Sequence, residues 1–97
     1  MPEYLRVATF DADEHALEAL VREIESTDGP PEGVPAKSMV VLADRPGRRV
    51  RIAVRFASEE DLRAGSETLD AMEPPPDAAM RRTDVEVFEV VLERHAS

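Results

Sequence analysis

Arg48-Arg49-Val50-Arg51-Ile52-Ala53-Val54-Arg55-Phe56-Ala57-Ser58-Glu59-Glu60-Asp61-Leu62 opens the stretch that decides the fold, and it runs on to Met72. Val50, Ile52, Val54 and Phe56 alternate with Arg49, Arg51, Ala53 and Arg55. That period of two puts apolar side chains on one face of a strand and mostly arginine on the other. At Ser58 the period changes. Ser58 can cap a helix by accepting from an unpaired N–H of the first turn. Glu59, Glu60 and Asp61 follow, where the positive end of the helix dipole favours carboxylates. Leu62, Gly65, Leu69 and Met72 then recur at helical spacing. Gly65 inside a helix costs roughly 1 kcal/mol relative to alanine, and close packing of helix on sheet accounts for its presence.

Working outward, the spacing predicts a first strand over Tyr4 to Phe10. Leu5, Val7 and Thr9 share one face; Tyr4, Arg6, Ala8 and Phe10 share the other. A helix follows, opened by Asp11 with Glu14 at capping-box spacing or by Asp13 as the competing cap. Leu17, Leu20, Val21 and Ile24 form its apolar stripe, and it ends near Ser26 or Thr27. Residues 28–35 hold Gly29-Pro30-Pro31 and Gly33-Val34-Pro35, which stop both helix and central strand. A loop of this length is expected either to move or to cover something. Lys37 to Asp44 reads as the second strand. Arg45-Pro46-Gly47-Arg48 is the turn of a hairpin, with Gly at the third place suiting type II. Glu73-Pro74-Pro75-Pro76 ends the second helix, and Ala78, Ala79 and Met80 form a short turn. Val85 to Arg94 reads as the last strand, with His95 in an exposed tail.

The order is β-α-β-β-α-β over one domain, residues 1–97. That order predicts an α+β, ferredoxin-like split βαβ arrangement: a four-stranded antiparallel sheet with the first and third strands central. Right-handed crossovers put both helices on one face. Several strands are apolar on both faces, so the bare face is expected to be covered by a second copy about a two-fold axis. The predicted homodimer interface is at least about 800 Å² per partner.

Composition excludes several classes. Twelve Lys and Arg against 21 Asp and Glu give a net charge of −9. That opposes binding to nucleic acid or to an anionic membrane. There is no cysteine, so disulfides and thiolate chemistry are absent. Met1-Pro2-Glu3-Tyr4 has neither a basic nor an apolar region of a secretory signal, and no apolar run approaches bilayer length. A cytoplasmic protein is expected. Lys37 is the lone lysine, a bias that fits a bacterial genome of high GC content.

Val54-Arg55-Phe56-Ala57-Ser58-Glu59-Glu60-Asp61-Leu62-Arg63-Ala64 and the closing Val85-Glu86-Val87-Phe88-Glu89-Val90 carry a family likeness. With them the chain resembles the dimeric α+β barrel proteins, above all the antibiotic biosynthesis monooxygenase-type domains. The resemblance implies a homodimer, a pocket for a small organic molecule and, in an enzyme, cofactor-independent oxidation of an activated aromatic or polyketide-like substrate. Relatives of this kind use Asn, Trp, His or Arg around the pocket. This chain has no Trp and no Asn, and its second helix has no His to ligate haem. The resemblance therefore transfers no catalytic residue and no cofactor. The alternative function is a non-catalytic ligand-binding or structural dimer on the same frame.

Four residues are candidates for a ligand pocket: Tyr4, Met39, Arg55 and Phe88. Arg55 stands beside Arg49 and Arg51 and could stabilise an anion or enolate. The plainer reading pairs these arginines with Glu89 or Glu93, across the sheet or across the dimer. Tyr4, Phe10 and Phe88 could wall a pocket or pack a core. Met39, Met72 and Met80 could fill irregular gaps. His15, four positions after Asp11, could join it as a base or half a metal site. Two ligands on one turn are too few, so no metal is expected.

Overall fold

The structure is a computed structural model that describes residues 2–27, 29, 32–71 and 80–96. Six elements follow in order: β1 (Glu3–Ala12), α1 (Glu14–Glu25), β2 (Ser38–Asp44), β3 (Arg49–Phe56), α2 (Glu59–Ala71) and β4 (Met80–Val90). The chain is α+β. Its strands form one antiparallel sheet in the order β2-β3-β1-β4, an arrangement compatible with the ferredoxin-like βαββαβ fold. As the element order predicts, β1 and β3 are the central pair.

The helices cover the face that carries Val50, Ile52, Val54 and Phe56. Two clusters fill the space. Ala12, Ala16, Leu17 and Val50 pack beneath α1. Val34, Val54, Phe56 and Leu62 pack beneath α2, with Tyr4 and Met39 against them. Val34 belongs to the loop after α1, and Thr68 Oγ1 of α2 donates to the Gly33 carbonyl at 3.1 Å. The loop thus supplies a core residue. Asp28, Pro30 and Pro31 lie outside the described residues, as do Met72, the 73–76 proline run, Ala78 and Ala79.

Both caps have plain causes. Ser58 Oγ accepts from the Asp61 N–H at 3.1 Å. Asp13, not Asp11, caps α1, its carboxylate accepting from the Ala16 N–H at 2.8 Å. Asp11 is unavailable because β1 extends through Ala12 and pairs Asp11 with Arg49. The stripe of α1 is narrower than its spacing predicts, running through Leu17, Leu20 and Ile24. Leu17 is buried, whereas Val21 is exposed.

Two local expectations are corrected. The hairpin turn is not type II: Gly47 does not take a positive φ, and Arg48 does, at 52°. Arg48 N–H donates to the Arg45 carbonyl at 3.1 Å and Gly47 N–H to Asp44 Oδ1 at 3.1 Å. The side-chain bond from Asp44 holds the turn and leaves the left-handed step to the next residue. β4 starts at Met80 rather than Val85 and stops at Val90 rather than Arg94. Met80, Arg81 and Arg82 pair with Ala12, Asp11 and Phe10, so charged residues extend the strand beside an acid and an aromatic. The pairing slips between Thr9 and Phe10, and Thr83 Oγ1 donates to the Thr9 carbonyl at 3.3 Å.

Gly65 is explained by contact. A Cβ there would lie 2.3 Å from Phe56 Cε1, and Phe56 is 0% exposed. Gly65→Ala should gain about 1 kcal/mol of helix propensity and lose about 1–3 kcal/mol to overpacking, for a net loss. Thermal melts of Gly65→Ala, Phe56→Leu and the double variant test this. The account expects a lower Tm for Gly65→Ala and a smaller penalty from the same change when Phe56 is already Leu.

Candidate functional site

The face without helices is built from residues that the pairing sets side by side. Four rows cross it from β2 to β4, since directly opposed residues share a face. Asp44, Arg49, Asp11 and Arg81 form the row nearest the hairpin. Leu42, Arg51, Thr9 and Asp84 form the next. Val40, Ala53, Val7 and Glu86 form the third, and Ser38, Arg55, Leu5 and Phe88 the fourth. Val40 is 51% exposed, Leu42 50% and Phe88 48%. Leu5, Val7 and Val90 are half-buried between them. Charge therefore stands at both ends of the face, at the hairpin row and again where Arg55, Glu3 and Lys37 meet, with most of the apolar surface between.

This alternation divides the four pocket candidates. Arg55 and Phe88 lie in one row of the open face with Leu5 between them. Tyr4 and Met39 lie on the opposite face and pack against the Val54–Phe56 cluster. The strand period places the two pairs on opposite sides of one sheet layer, so within a single chain they do not share a pocket. Phe10 is on the helix side with Tyr4, and Met80 packs against the Val50 cluster. His15 is exposed on α1, while Asp11 sits in β1 on the open face.

Arg55 is the most engaged charge of the open face. Its Nε donates to Glu3 Oε1 at 2.8 Å, its Nη2 donates to Glu93, and its side chain is 20% exposed. Lys37 Nζ joins Glu3 at 3.1 Å. The pairing with Glu93 is the structural one that the sequence suggests, made within the chain. It draws the segment after β4 back over β1 to β3, and leaves Val91 and Leu92 exposed. The hydrogen bonds from Lys37 and then Arg55 hold the Glu3 carboxyl below its ordinary range. The bond from Arg55 does the same for Glu93. Arg55 is held above its ordinary value by Glu93 and then Glu3, so it stays charged. Arg49 lies 3.5 Å from Asp44. Arg51 has no ion pair among the described residues.

A second charged group lies under the helices. Arg6 is 3% exposed, and its Nη2 donates to Asp70 Oδ1 of α2 at 2.7 Å. Arg82 reaches the same oxygen at 3.6 Å. A buried arginine needs a counter-charge, and this one pins the end of α2 to β1 and β4. Sequence reading places Arg6 on one strand face with Tyr4, Ala8 and Phe10 but finds neither that the helices cover this face nor Asp70, which is 64 residues away. The signal was Arg6 itself, a cation among apolar neighbours.

Two open grooves, of about 340 and 320 Å³, run between α1 and the outer strand β2. Leu17, Val21 and Arg45 border both. Neither touches the four candidates. Among the described residues no three acidic or histidine side chains gather closely enough to hold a metal ion. No described helix is long and apolar enough to cross a membrane. Compared with protein-family models, curated proteins and solved structures, the chain finds no match.

Asp70→Ala should cost about 1–3 kcal/mol, because it leaves the buried Arg6 guanidinium without its carboxylate. Urea unfolding of Asp70→Ala, Arg6→Met and the double variant measures it. Arg6→Met with Asp70→Ala should be more stable than Asp70→Ala alone, since no uncompensated charge remains. The Glu93 bond has its own signature. Its carboxyl is depressed in the fold, so its contribution is complete above the ordinary value of 4.5 and is lost as pH falls through the lower folded value. The gap in urea midpoint between wild type and Glu93→Gln should be present at neutral pH and close in acid. A gap that persists unchanged into acid contradicts the pairing.

Proposed function

We propose that this protein is a cytoplasmic homodimer of the α+β barrel type, joined through its open sheet faces, with a small organic ligand held between them. The observation that carries the reading is the open face itself. Its outer strands expose Val40 and Leu42 on β2 and Phe88 on β4, with Leu5 and Val7 of β1 half-buried between them. Half-exposed large apolar side chains on both edges of one sheet face are the mark of a surface that meets a partner. A sheet of the same shape, packed about 10 Å away, is the simplest cover. Arg55 and Phe88 share a row at one end of this face, and in such a dimer they border the enclosed space.

The resemblance to antibiotic biosynthesis monooxygenase-type domains makes cofactor-independent oxidation of a small aromatic or polyketide-like molecule the activity to assay first. One observation favours the non-catalytic alternative, a ligand-binding or structural dimer. Arg55 spends its donors on Glu3 and Glu93, so an incoming anion or enolate has to displace carboxylates already in place.

Sedimentation at micromolar concentration tests the assembly. Wild type should run as a dimer. Leu42→Glu, which sets a charge in the half-exposed apolar surface of the outer strand β2, should weaken it at least about tenfold while leaving the monomer folded. Wild type running as a compact monomer at these concentrations overturns the reading. Native mass spectrometry of the dimer then reports a ligand as an added mass lost on denaturation.

A further inference from the structure

Arg55 holds two carboxylates, and they are anchored very differently. Glu3 belongs to β1, where it pairs with Val90, and it accepts from Arg55 Nε at 2.8 Å and from Lys37 Nζ at 3.1 Å. Glu93 belongs to no strand or helix. It lies in residues 91–96, which follow β4 without regular structure. To reach Arg55 on β3 from the end of β4, this segment crosses the strand between them, β1. The crossing buries little apolar surface, since Val91 is 88% exposed and Leu92 79%. Among the described residues, the bond from Arg55 Nη2 to Glu93 is the one side-chain hydrogen bond that ties the segment to the sheet.

The charges around Arg55 show what the segment supplies. Arg55 and Lys37 bring two positive charges, and Glu3 brings one negative charge. Without Glu93 the group keeps one positive charge, on a guanidinium largely withdrawn from water. Such a cation draws an anion. Glu93 answers it with a single contact. It takes Nη2, while Nη1 has no hydrogen bond among the described residues. A free carboxylate can take both nitrogens at once, the forked geometry in which arginine binds carboxylates best.

The row on which Arg55 stands completes a binding surface. Arg55, Leu5 and Phe88 lie opposite one another on β3, β1 and β4. Leu5 is half-buried, and Phe88 is half exposed. Phe88 stands two strands from Arg55, about 10 Å at ordinary strand spacing. A molecule with a carboxylate at one end and an apolar body of that length spans the row, its charge on Arg55 and its body over Leu5 against Phe88.

We infer that this row binds a small amphipathic monocarboxylate and that residues 91–96 gate it, the Glu93 carboxylate holding the ligand's place until the ligand displaces it. This site rests on the ligand-binding part of the proposed function and needs neither the dimer nor a reaction. The gate acts by competition, because the ligand binds only those molecules in which the segment has let go.

Two acids of suitable length serve as probes, 4-phenylbutyrate and octanoate, with 4-phenylbutyramide as the uncharged control. Binding is followed by nitrogen-15 NMR titration of wild type, Glu93→Gln and Arg55→Gln. In wild type the acids should bind and move the amide signals of residues 91–96 to random-coil positions in step with occupancy. Glu93→Gln should bind them about two- to fivefold more tightly, the range that a partly exposed ion pair allows. Arg55→Gln should bind them at least about tenfold more weakly, and the amide should lose as much in wild type.

Equal affinity in wild type and Glu93→Gln, or a segment still docked at saturation, overturns the gate. The site is overturned when Arg55→Gln binds the acids as well as wild type, when the amide binds as well as its acid, or when neither acid binds Glu93→Gln. Should Arg55→Gln fail to fold, Phe88→Ala carries the same test. It should weaken 4-phenylbutyrate at least about threefold, and unchanged affinity overturns the site. A monomer in sedimentation overturns the proposed assembly and leaves this site standing, since the titration reads each chain by itself.

Discussion

An antiparallel sheet with both helices on one side has a second face that must meet water or a partner. The rest of this molecule follows from how the chain treats its two faces. The covered face is packed to contact distance, down to a glycine at position 65 that lets Phe56 pass beneath α2. The open face is neither polar enough to be an ordinary surface nor apolar throughout. Between its two charged ends it exposes Val40, Leu42 and Phe88 on the outer strands, beside Leu5 and Val7. Surfaces of that kind are built for recognition, with apolar contact for affinity and charge for orientation.

The charges serve the two faces differently. At the edge of the helix layer, the buried Arg6 reaches out to the solvent-exposed carboxylate of Asp70 and so ties α2 to the sheet. The carboxylate at the exposed end compensates the buried cation and fixes the end of α2 against β1. On the open face, Arg55 gathers Glu3 and Glu93 and so fixes the segment that follows β4. The net charge of −9 would by itself hold two copies apart. The placement of arginine on β3 offsets that repulsion where the proposed contact lies.

The fold was largely legible because its signals are local. The alternation in Val50 to Phe56, the Ser58 cap and the period of Leu62, Gly65 and Leu69 need no distant information. The division of residues between sheet faces was legible for the same reason. What escaped was set by tertiary contact. Asp13 displaces Asp11 as a cap because β1 is longer than its apolar run. β4 begins among charged residues because Asp11 and Phe10 are there to pair with. The partner of Arg6 lies 64 residues along the chain. The candidate site was legible only in part. The sequence points to Arg55 and Phe88, which share a row, and to Tyr4 and Met39, which the strand period sends to the other side.

Small-angle X-ray scattering of the wild-type protein tests the central claim, that the open sheet face is covered by a second copy. The single chain has a radius of gyration of 13.8 Å. The account predicts forward scattering equal to twice the chain mass and a particle clearly larger than that radius, in low and moderate salt alike. Forward scattering of one chain mass with a radius near 13.8 Å would contradict it, and would mean that this face meets water or a different partner.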